Sequence, residues 1–221
     1  MEFVLAIGNK NYSSWSLRPW LALKQAGVRF REVVIPLYRP ESRALLDEHS
    51  PSGRVPALRH GPLVLWDSLA ICEYVADTFP EAALWPADRA ARAVARAVSA
   101  EMHSGFQAMR THMTMNVRSH RPGVGRTIDS LRDVKRIRTL WTDTLERYGR
   151  NGPFLFGSFS IADAMFAPVV LRFRTYEVEL DARLHAYCTA VLSLPAVEEW
   201  MAAARLEPWT IESFEYPDAR V

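Results

Sequence analysis

The residues most able to do chemistry form three short polar groups within the first 70 positions. The first group is residues 11–18, where Tyr12, Ser13 and Ser14 lie close to the predicted start of a helix. Hydroxyl donors at the N-terminus of a helix stabilise an anion such as a thiolate. A thiol with a pKa of ~8.5 is only about 3% ionised at pH 7, and one charged hydrogen bond plus a helix end supplies roughly the 2.7 kcal/mol that a two-unit decrease needs. The alternative is a serine-rich helix cap without a chemical role.

The second group is the dipeptide Val55-Pro56. A residue that precedes proline is held in an extended conformation. If the bond is cis, the backbone N–H and C=O of Val55 turn outward at a strand end, where an extended peptide ligand can pair with them. On these two residues alone, an ordinary trans proline at the start of a strand is the commoner case.

The third group is Asp67-Ser68, which stands immediately before an apolar pattern of helical period. Either residue can cap the helix through its side-chain oxygen, and this is the simplest interpretation. The same position can also hold a ligand carboxylate on the hydroxyl and N–H of Ser68, at the positive end of the helix. Asp67 would then hold an ammonium, so the pair suits the head group of an amino acid.

A small α/β domain is predicted to position these groups. A strand over Phe3–Gly8, a helix that contains Leu17 and stops at Gly27, and a strand over 28–37 come first. A short helical or irregular stretch over 39–50 follows, and then strands over Ala57–His60 and 63–66 and a helix that begins after Asp67. The first three elements form a βαβ unit, whose crossover is right-handed. The order of elements is that of a thioredoxin-like domain.

An all-helical second domain is predicted to follow. We expect domain one to span residues 1–79, a proline-bounded linker 80–88, and the helical domain 89–221. The predicted helices are 89–117, 130–148, one that begins at Ser160 with a capping box to Asp163, 184–192 and 196–205, and residues 217–221 are expected to fray.

The long predicted helix carries an apolar stripe made of Met102, Phe106, Met109 and Met113. A stripe of this kind is commonly a core or dimer contact. It could also form an adaptable wall of a substrate pocket, because methionine accommodates varied ligands. Two polar residues of the same helix could reach a bound ligand, across a dimer interface if one forms: Glu101 and Ser104.

Composition sets the limits of these hypotheses. The chain has 221 residues, 49% hydrophobic, and its net charge of +2 argues neither for nucleic acid nor for a membrane. No apolar run reaches the ~18 residues that a membrane span needs. The acidic N-terminus without a basic region predicts no signal peptide, and therefore a cytoplasmic protein. Cys72 and Cys188 are far apart and are expected to be buried thiols, so no redox dithiol or metal site is predicted.

One charged stretch needs an explanation. Residues 110–138 hold eight arginines and lysines against two aspartates. No aromatic residue lies between them to stack on bases, so nucleic-acid binding is not predicted. A solvated helix face is the first interpretation, and steering of an anionic co-substrate is the second.

Taken together, the groups resemble motifs of the cytosolic glutathione S-transferases of the serine type, such as the zeta and tau classes. Residues 53–58 are similar to the cis-proline loop, 66–71 to the γ-glutamyl site, 158–163 to the buried cap of the second domain and 13–18 to the start of the first helix. The resemblance covers both halves of the chain. It implies glutathione as substrate or cosubstrate, a small hydrophobic electrophile, a homodimer, and no metal, nucleic acid or membrane.

The resemblance also implies roles for single residues. Ser13 would activate the glutathione sulfur, with Ser14 and then Tyr12 as alternatives. The backbone of Val55 beside Pro56 would bind the cysteinyl unit, and Asp67 and Ser68 would bind the γ-glutamyl group. Arg54, and more weakly Arg39, would bind the rest of glutathione. The hydrophobic pocket would be formed by Trp15, Met102, Phe106, Met109 and Met113.

Two departures from the family pattern bear on the reaction. The chain has Asp67 where the family usually has glutamate, and Trp15 where the zeta class has cysteine. The first keeps the charge, whereas the second argues against isomerase chemistry. The sequence therefore predicts a glutathione transferase, with a maleylacetoacetate-type isomerase and a non-catalytic glutathione-binding protein as alternatives.

Overall fold

The computed structural model describes residues 2–215, so the predicted frayed end at 217–221 lies outside the described residues. The first half contains β1 (Phe3–Gly8), α1 (Ser14–Gln25), β2 (Phe30–Ile35), α2 (Ser42–His49), β3 (Ala57–His60), β4 (Leu63–Leu65) and α3 (Ser68–Thr78). The second half contains α4 (Arg89–Ser104), α5 (Gln107–His112), α6 (Ile128–Tyr148), α7 (Ile161–Thr175), α8 (Ala182–Leu192), α9 (Pro195–Leu206) and α10 (Glu212–Glu215). Single 3₁₀ turns form at Pro80–Ala82 and Gly149–Asn151.

The four strands form one sheet in the order β2-β1-β3-β4. β1 runs parallel to β2, which α1 makes possible, and the other two pairs are antiparallel. All six residues of β1 are buried, as expected of a central strand covered on both faces. The prediction of a thioredoxin-like domain followed by a helical domain is confirmed.

One hydrophobic core runs through both halves of the chain. α1 packs against α3 on one side and against α7 of the second half on another. Trp20 and Trp200 meet edge to face at 5.1 Å, and the Trp200 indole donates a 2.9 Å hydrogen bond to the carbonyl of Lys10. The boundary at 80–88 stays a prediction.

The predicted capping box at the start of α7 is confirmed. The buried Asp163 carboxylate accepts hydrogen bonds from the backbone N–H of Ser160 at 2.8 Å and of Leu155 at 3.1 Å. Burial raises the pKa of Asp163 to about 6, although these hydrogen bonds oppose the change. This carboxylate ties the 153–160 loop to α7 and stands apart from the polar groups of the first half.

The prediction of one helix over 89–117 is wrong, because the chain breaks between α4 and α5. Gly105 is extended, with φ −104° and ψ −169°, and Phe106 has a φ of +62°. A Cβ at position 105 would stand 2.8 Å from the carbonyl oxygen of Glu101, so a glycine lets the chain turn closely there. Residues 113–127 form no helix.

Smaller differences concern the ends of elements. The second strand is shorter than the predicted 28–37, the fourth ends at Leu65 rather than residue 66, and the 39–50 stretch contains α2. Among residues 2–215, no helix combines the length and the apolar character that crossing a bilayer requires.

Candidate active site

Two cavities meet where α1, β3 and α3 approach the second half of the chain. The first has a volume of about 480 Å³ and the second about 530 Å³. They share Trp15, Arg54 and Val55 on their borders. The first cavity extends to Asp67, and the second extends along the serines of α1.

The bond between Val55 and Pro56 is cis, and Pro56 leads directly into β3. Both residues border the first cavity. Within the described part of the chain, the backbone of Val55 takes part in no hydrogen bond outside the regular elements. A second cis bond, Trp66-Asp67, comes directly before α3.

Asp67 caps α3 and also faces the first cavity. Its Oδ1 accepts from the N–H groups of Leu69 at 3.0 Å and Ala70 at 3.3 Å. Its Oδ2 lies 3.0 Å from Nε2 of His103, at the C-terminal end of α4. The Ser68 side chain is fully buried, and its Oγ has no partner among the described residues. The capping interpretation is thus confirmed, while the ligand role stays a prediction.

Tyr12, Ser13 and Ser14 all border the second cavity. Ser13 caps α1, and its hydroxyl donates to Oγ of Ser16 at 2.8 Å. Ser16 in turn accepts from the N–H of Gly8 at 3.0 Å, which fixes the turn from β1 into α1. The Ser14 hydroxyl instead accepts a 3.3 Å hydrogen bond from Nη2 of Arg172.

Tyr12 is tied to the C-terminal part of the chain. Its hydroxyl donates to the carboxylate of Glu215 and accepts from Nη2 of Arg118 at 2.9 Å. Burial first, and Glu215 second, raise the pKa of Tyr12. Both the Tyr12 and the Ser13 hydroxyls thus donate within the protein, so the choice among Ser13, Ser14 and Tyr12 stays a prediction.

The two predicted arginines differ in placement. Arg54 borders both cavities. Arg39 is exposed, its backbone N–H donates to Oγ of Ser42 at 2.7 Å, and it does not border either cavity.

The prediction that the apolar stripe forms a pocket wall is wrong for four residues. Met102, Met109 and Met113 are 0% exposed, Phe106 is 7% exposed, and none of them borders the two cavities. All four lie in the hydrophobic core instead. Trp15 is the residue of this predicted set that does border the cavities.

The two polar residues predicted beside the stripe are occupied elsewhere. Both Glu101 oxygens pair with Arg136, at 2.7 and 2.9 Å. The Ser104 hydroxyl donates to the carbonyl of Ala100 within its own helix.

Three arginines that sequence reasoning did not assign surround Trp15 and Ser14. The guanidinium carbons of Arg18 and Arg110 lie 4.4 and 4.8 Å from the centroid of the Trp15 ring. Burial lowers the pKa of all three: that of Arg18 well below its usual value, that of Arg110 to about 10 and that of Arg172 to about 9. A sequence signal existed for Arg172, since its immediate neighbours on α7 are apolar.

Neither cysteine is poised for chemistry. Burial raises the pKa of the Cys72 thiol far above its usual value and that of Cys188 to about 12. In residues 2–215, no group of three or more potential ligand side chains is arranged to hold a metal ion.

Comparison with known proteins identifies the family. Two family models match: Glutathione S-transferase, N-terminal domain, over residues 12–78 and Glutathione S-transferase, C-terminal domain, over 131–203, together more than half of the chain. The chain belongs to the glutathione S-transferase family. The glutathione S-transferase models place the serines of α1, Val55 and the start of α3 inside the matched N-terminal region.

Relatives of known name support this membership. A probable maleylacetoacetate isomerase of Caenorhabditis elegans is 38% identical over 42% of this chain and 43% of its own length. The maleylacetoacetate isomerase of Mus musculus is 28% identical over 76% of each chain. The match thus spans less than half the length of the nematode relative.

Solved structures show the same fold at low identity. A glutathione transferase homolog from Burkholderia, crystallised with bound glutathione, has a TM-score of 0.72 at 23% identity, over 93% of this chain and 99% of that one. The tau class glutathione S-transferase of mango has a TM-score of 0.70 at 18% identity, over 100% of this chain and 99% of that one.

Proposed function

We propose that the protein is a glutathione transferase that joins the glutathione thiolate to a small electrophile. One observation carries this proposal. Val55, the Asp67-Ser68 helix start and the pair Ser13-Ser14 border two cavities that share Trp15, Arg54 and Val55.

Glutathione fits this arrangement from one end to the other. Its γ-glutamyl ammonium would pair with Asp67, and its α-carboxylate would take the hydroxyl and N–H of Ser68. Its cysteinyl backbone would pair with Val55 as an added strand. Arg54 is then the candidate for the glycyl carboxylate, with Arg39 as a more distant alternative.

The serines supply the chemistry that this pose needs. The thiol gives its proton to solvent, and a serine hydroxyl donates a hydrogen bond to the resulting thiolate at the N-terminus of α1. The sulfur attacks the electrophilic carbon, a C–S bond forms, and the leaving group departs with its electron pair. Binding both reactants side by side supplies much of the rate increase.

Serine substitutions test the proposal. We expect Ser13→Ala to lower kcat/KM for glutathione and 1-chloro-2,4-dinitrobenzene about 10²-fold, because removal of one donor to a developing or fixed anion has that effect. The dissociation constant for glutathione should change by no more than a few-fold. Ser14→Ala is the companion variant, and a larger loss there would transfer the role to Ser14.

Ser193→Ala is the matched control, since this serine is exposed at the end of α8. It should leave turnover unchanged. The transferase proposal fails if neither α1 serine affects turnover, or if glutathione does not bind at millimolar concentration.

An isomerase of the maleylacetoacetate type is the second candidate, and the names of the nematode and mouse relatives favour it. Such an enzyme adds the thiolate to its substrate and later releases it, so glutathione is returned. Measuring glutathione consumption separates the candidates, because a transferase consumes one thiol per product and an isomerase consumes none. Trp15 at the position of the zeta-class cysteine is the argument for the transferase.

The proposal includes a homodimer, which rests on the family resemblance, and a cytoplasmic location, which rests on the N-terminal sequence without a signal-peptide pattern. Sedimentation at micromolar concentration tests the first.

A further inference from the structure

Arg18 is a buried charge without a partner. Its side chain is 0% exposed, and Nε, Nη1 and Nη2 all lack a hydrogen-bond partner among the described residues. Burying a guanidinium in this way is costly unless an anion lies nearby. Its guanidinium lies against the face of Trp15, the residue shared by the two cavities.

Two other buried or half-buried arginines, unlike Arg18, border the second cavity itself. Arg172 is 4% exposed and donates to the carbonyls of Met113 and Pro168 besides the Ser14 hydroxyl. Arg110 is half-buried, donates to the carbonyls of Gly105 and Met102, and keeps a buried Nη1 without a partner among the described residues. These are neutral acceptors, so neither guanidinium forms an ion pair with the groups to which it donates.

Acidic side chains near this cluster are engaged elsewhere. Of the described residues that border the second cavity, three are arginines and none is an aspartate or glutamate. Asp133 attracts Arg110 at a distance but accepts the N–H of Met109. Asp67 attracts Arg18 at a distance but pairs with His103 at 3.0 Å, and Glu215 pairs with Arg121. No ion pair within 4 Å involves Arg18, Arg110 or Arg172 in residues 2–215.

We propose that the electrophile of this enzyme carries a carboxylate, which Arg110 and Arg172 bind in the second cavity beside Ser14. Arg110 and Arg172 both border this cavity, and Arg110 keeps one Nη1 donor unpartnered among the described residues. Arg18 adds positive potential from the face of Trp15. Glutathione supplies one anion here, its thiolate, and Arg54, which borders both cavities, is the candidate for its glycyl carboxylate. A second anion on the electrophile matches the remaining positive charge, because guanidinium groups bind carboxylates through paired N–H donors.

This inference rests on the proposed transferase function, and its test uses two aryl chlorides of the same shape. 4-Chloro-3-nitrobenzoate and 4-chloro-3-nitrobenzamide differ in charge only at the position opposite the chlorine. With either compound, the glutathione thiolate forms a C–S bond to the ring, the C–Cl bond breaks, and chloride leaves with the electron pair. Each kcat/KM is divided by the rate constant of the uncatalysed reaction with glutathione.

We expect the corrected kcat/KM to favour the benzoate about tenfold or more, which is the range for a hydrogen bond between charged groups. Arg110→Gln should lower the corrected kcat/KM of the benzoate about tenfold more than that of the benzamide, so that the preference between the two is lost. Arg132→Gln is the matched control, since it removes the same charge from an exposed site paired only with Asp129, and it should keep the preference.

Binding of the two finished conjugates gives an independent measurement on the unmodified protein. By calorimetry, S-(4-carboxy-2-nitrophenyl)glutathione should bind about tenfold more tightly than its carboxamide counterpart. Equal affinities would overturn the inference, as would an equal loss for both aryl chlorides in Arg110→Gln. If neither chloride reacts, conjugate affinities alone decide the inference, and the assay with 1-chloro-2,4-dinitrobenzene decides the transferase proposal. They also decide it if circular dichroism shows that Arg110→Gln does not fold.

Discussion

At the scale of single residues, Asp67 has two roles that can be separated. One carboxylate oxygen caps α3, and the other faces the first cavity beside His103. An asparagine caps a helix as well as an aspartate does, but it carries no charge. The cap and the ligand site therefore respond differently to the same substitution.

We expect Asp67→Asn to weaken glutathione binding about tenfold or more, because a hydrogen bond to a charged partner contributes about 1.5–3 kcal/mol. The free energy of unfolding should change by less than about 0.5 kcal/mol. Calorimetric titration with glutathione and urea unfolding measure the two effects. Asp88→Asn is the control, since Asp88 caps α4 in the same manner through the N–H of Ala91. Unchanged affinity in Asp67→Asn would remove the γ-glutamyl assignment.

Sequence reasoning found the residues of the site that belong to local motifs. Ser13 and Asp67 each stand at a helix start, so their spacing to the next few residues is enough to predict their position. His103 and Arg172 come from helices far along the chain, and only the packing of the second half against α1 brings them near. No local pattern contains that information.

At the scale of elements, the same distinction explains the broken helix. Met102, Phe106, Met109 and Met113 keep a helical spacing across the break, so periodicity predicts one continuous helix. Gly105 and the left-handed Phe106 interrupt it, and a lone glycine inside a helical pattern is a weak signal. The capping box of α7 was predictable because it needs only Ser160 and Asp163.

The buried Asp163 makes stability depend on pH. Its folded pKa of about 6 lies above the ordinary value of 3.8, so the folded state holds the proton more tightly than the unfolded chain. The raised pKa adds about 1–3 kcal/mol to the free energy of unfolding below pH 4. This stabilisation is lost as the pH rises through 6.

We expect Asp163→Asn to remove this part of the pH dependence. Urea unfolding gives the free energy of unfolding at pH 4.5 and at pH 7.5. The difference between these two values should be smaller in Asp163→Asn than in the wild type. Asp181→Asn, at the exposed cap of α8, is the control and should keep the wild-type difference. An unaltered pH difference in Asp163→Asn would show that the carboxylate titrates as it does in solution.

At the scale of the whole molecule, the shared core predicts that both halves unfold together. Trp200 lies at their junction, fully buried against Trp20 and bonded to Lys10. We expect Trp200→Ala to cost about 3–5 kcal/mol, in line with loss of a large buried aromatic residue. Far-UV circular dichroism and fluorescence should still follow a single urea transition.

Trp66→Ala is the control, since this indole is 49% exposed and should cost much less. Two separate transitions in the wild type would show that the halves are independent domains. The 80–88 boundary would then divide units of stability as well as units of fold.

The position of Trp15 has an optical consequence. Its indole is 37% exposed, lies against two guanidinium groups and borders both cavities, whereas Trp20, Trp141 and Trp200 are sealed in the core. A dissolved quencher therefore reaches the emission of Trp15, and that of the exposed Trp66 at the first cavity, but does not reach the core tryptophans. Occupation of either cavity hides the Trp15 indole from the quencher, so the protein carries its own reporter of ligand binding.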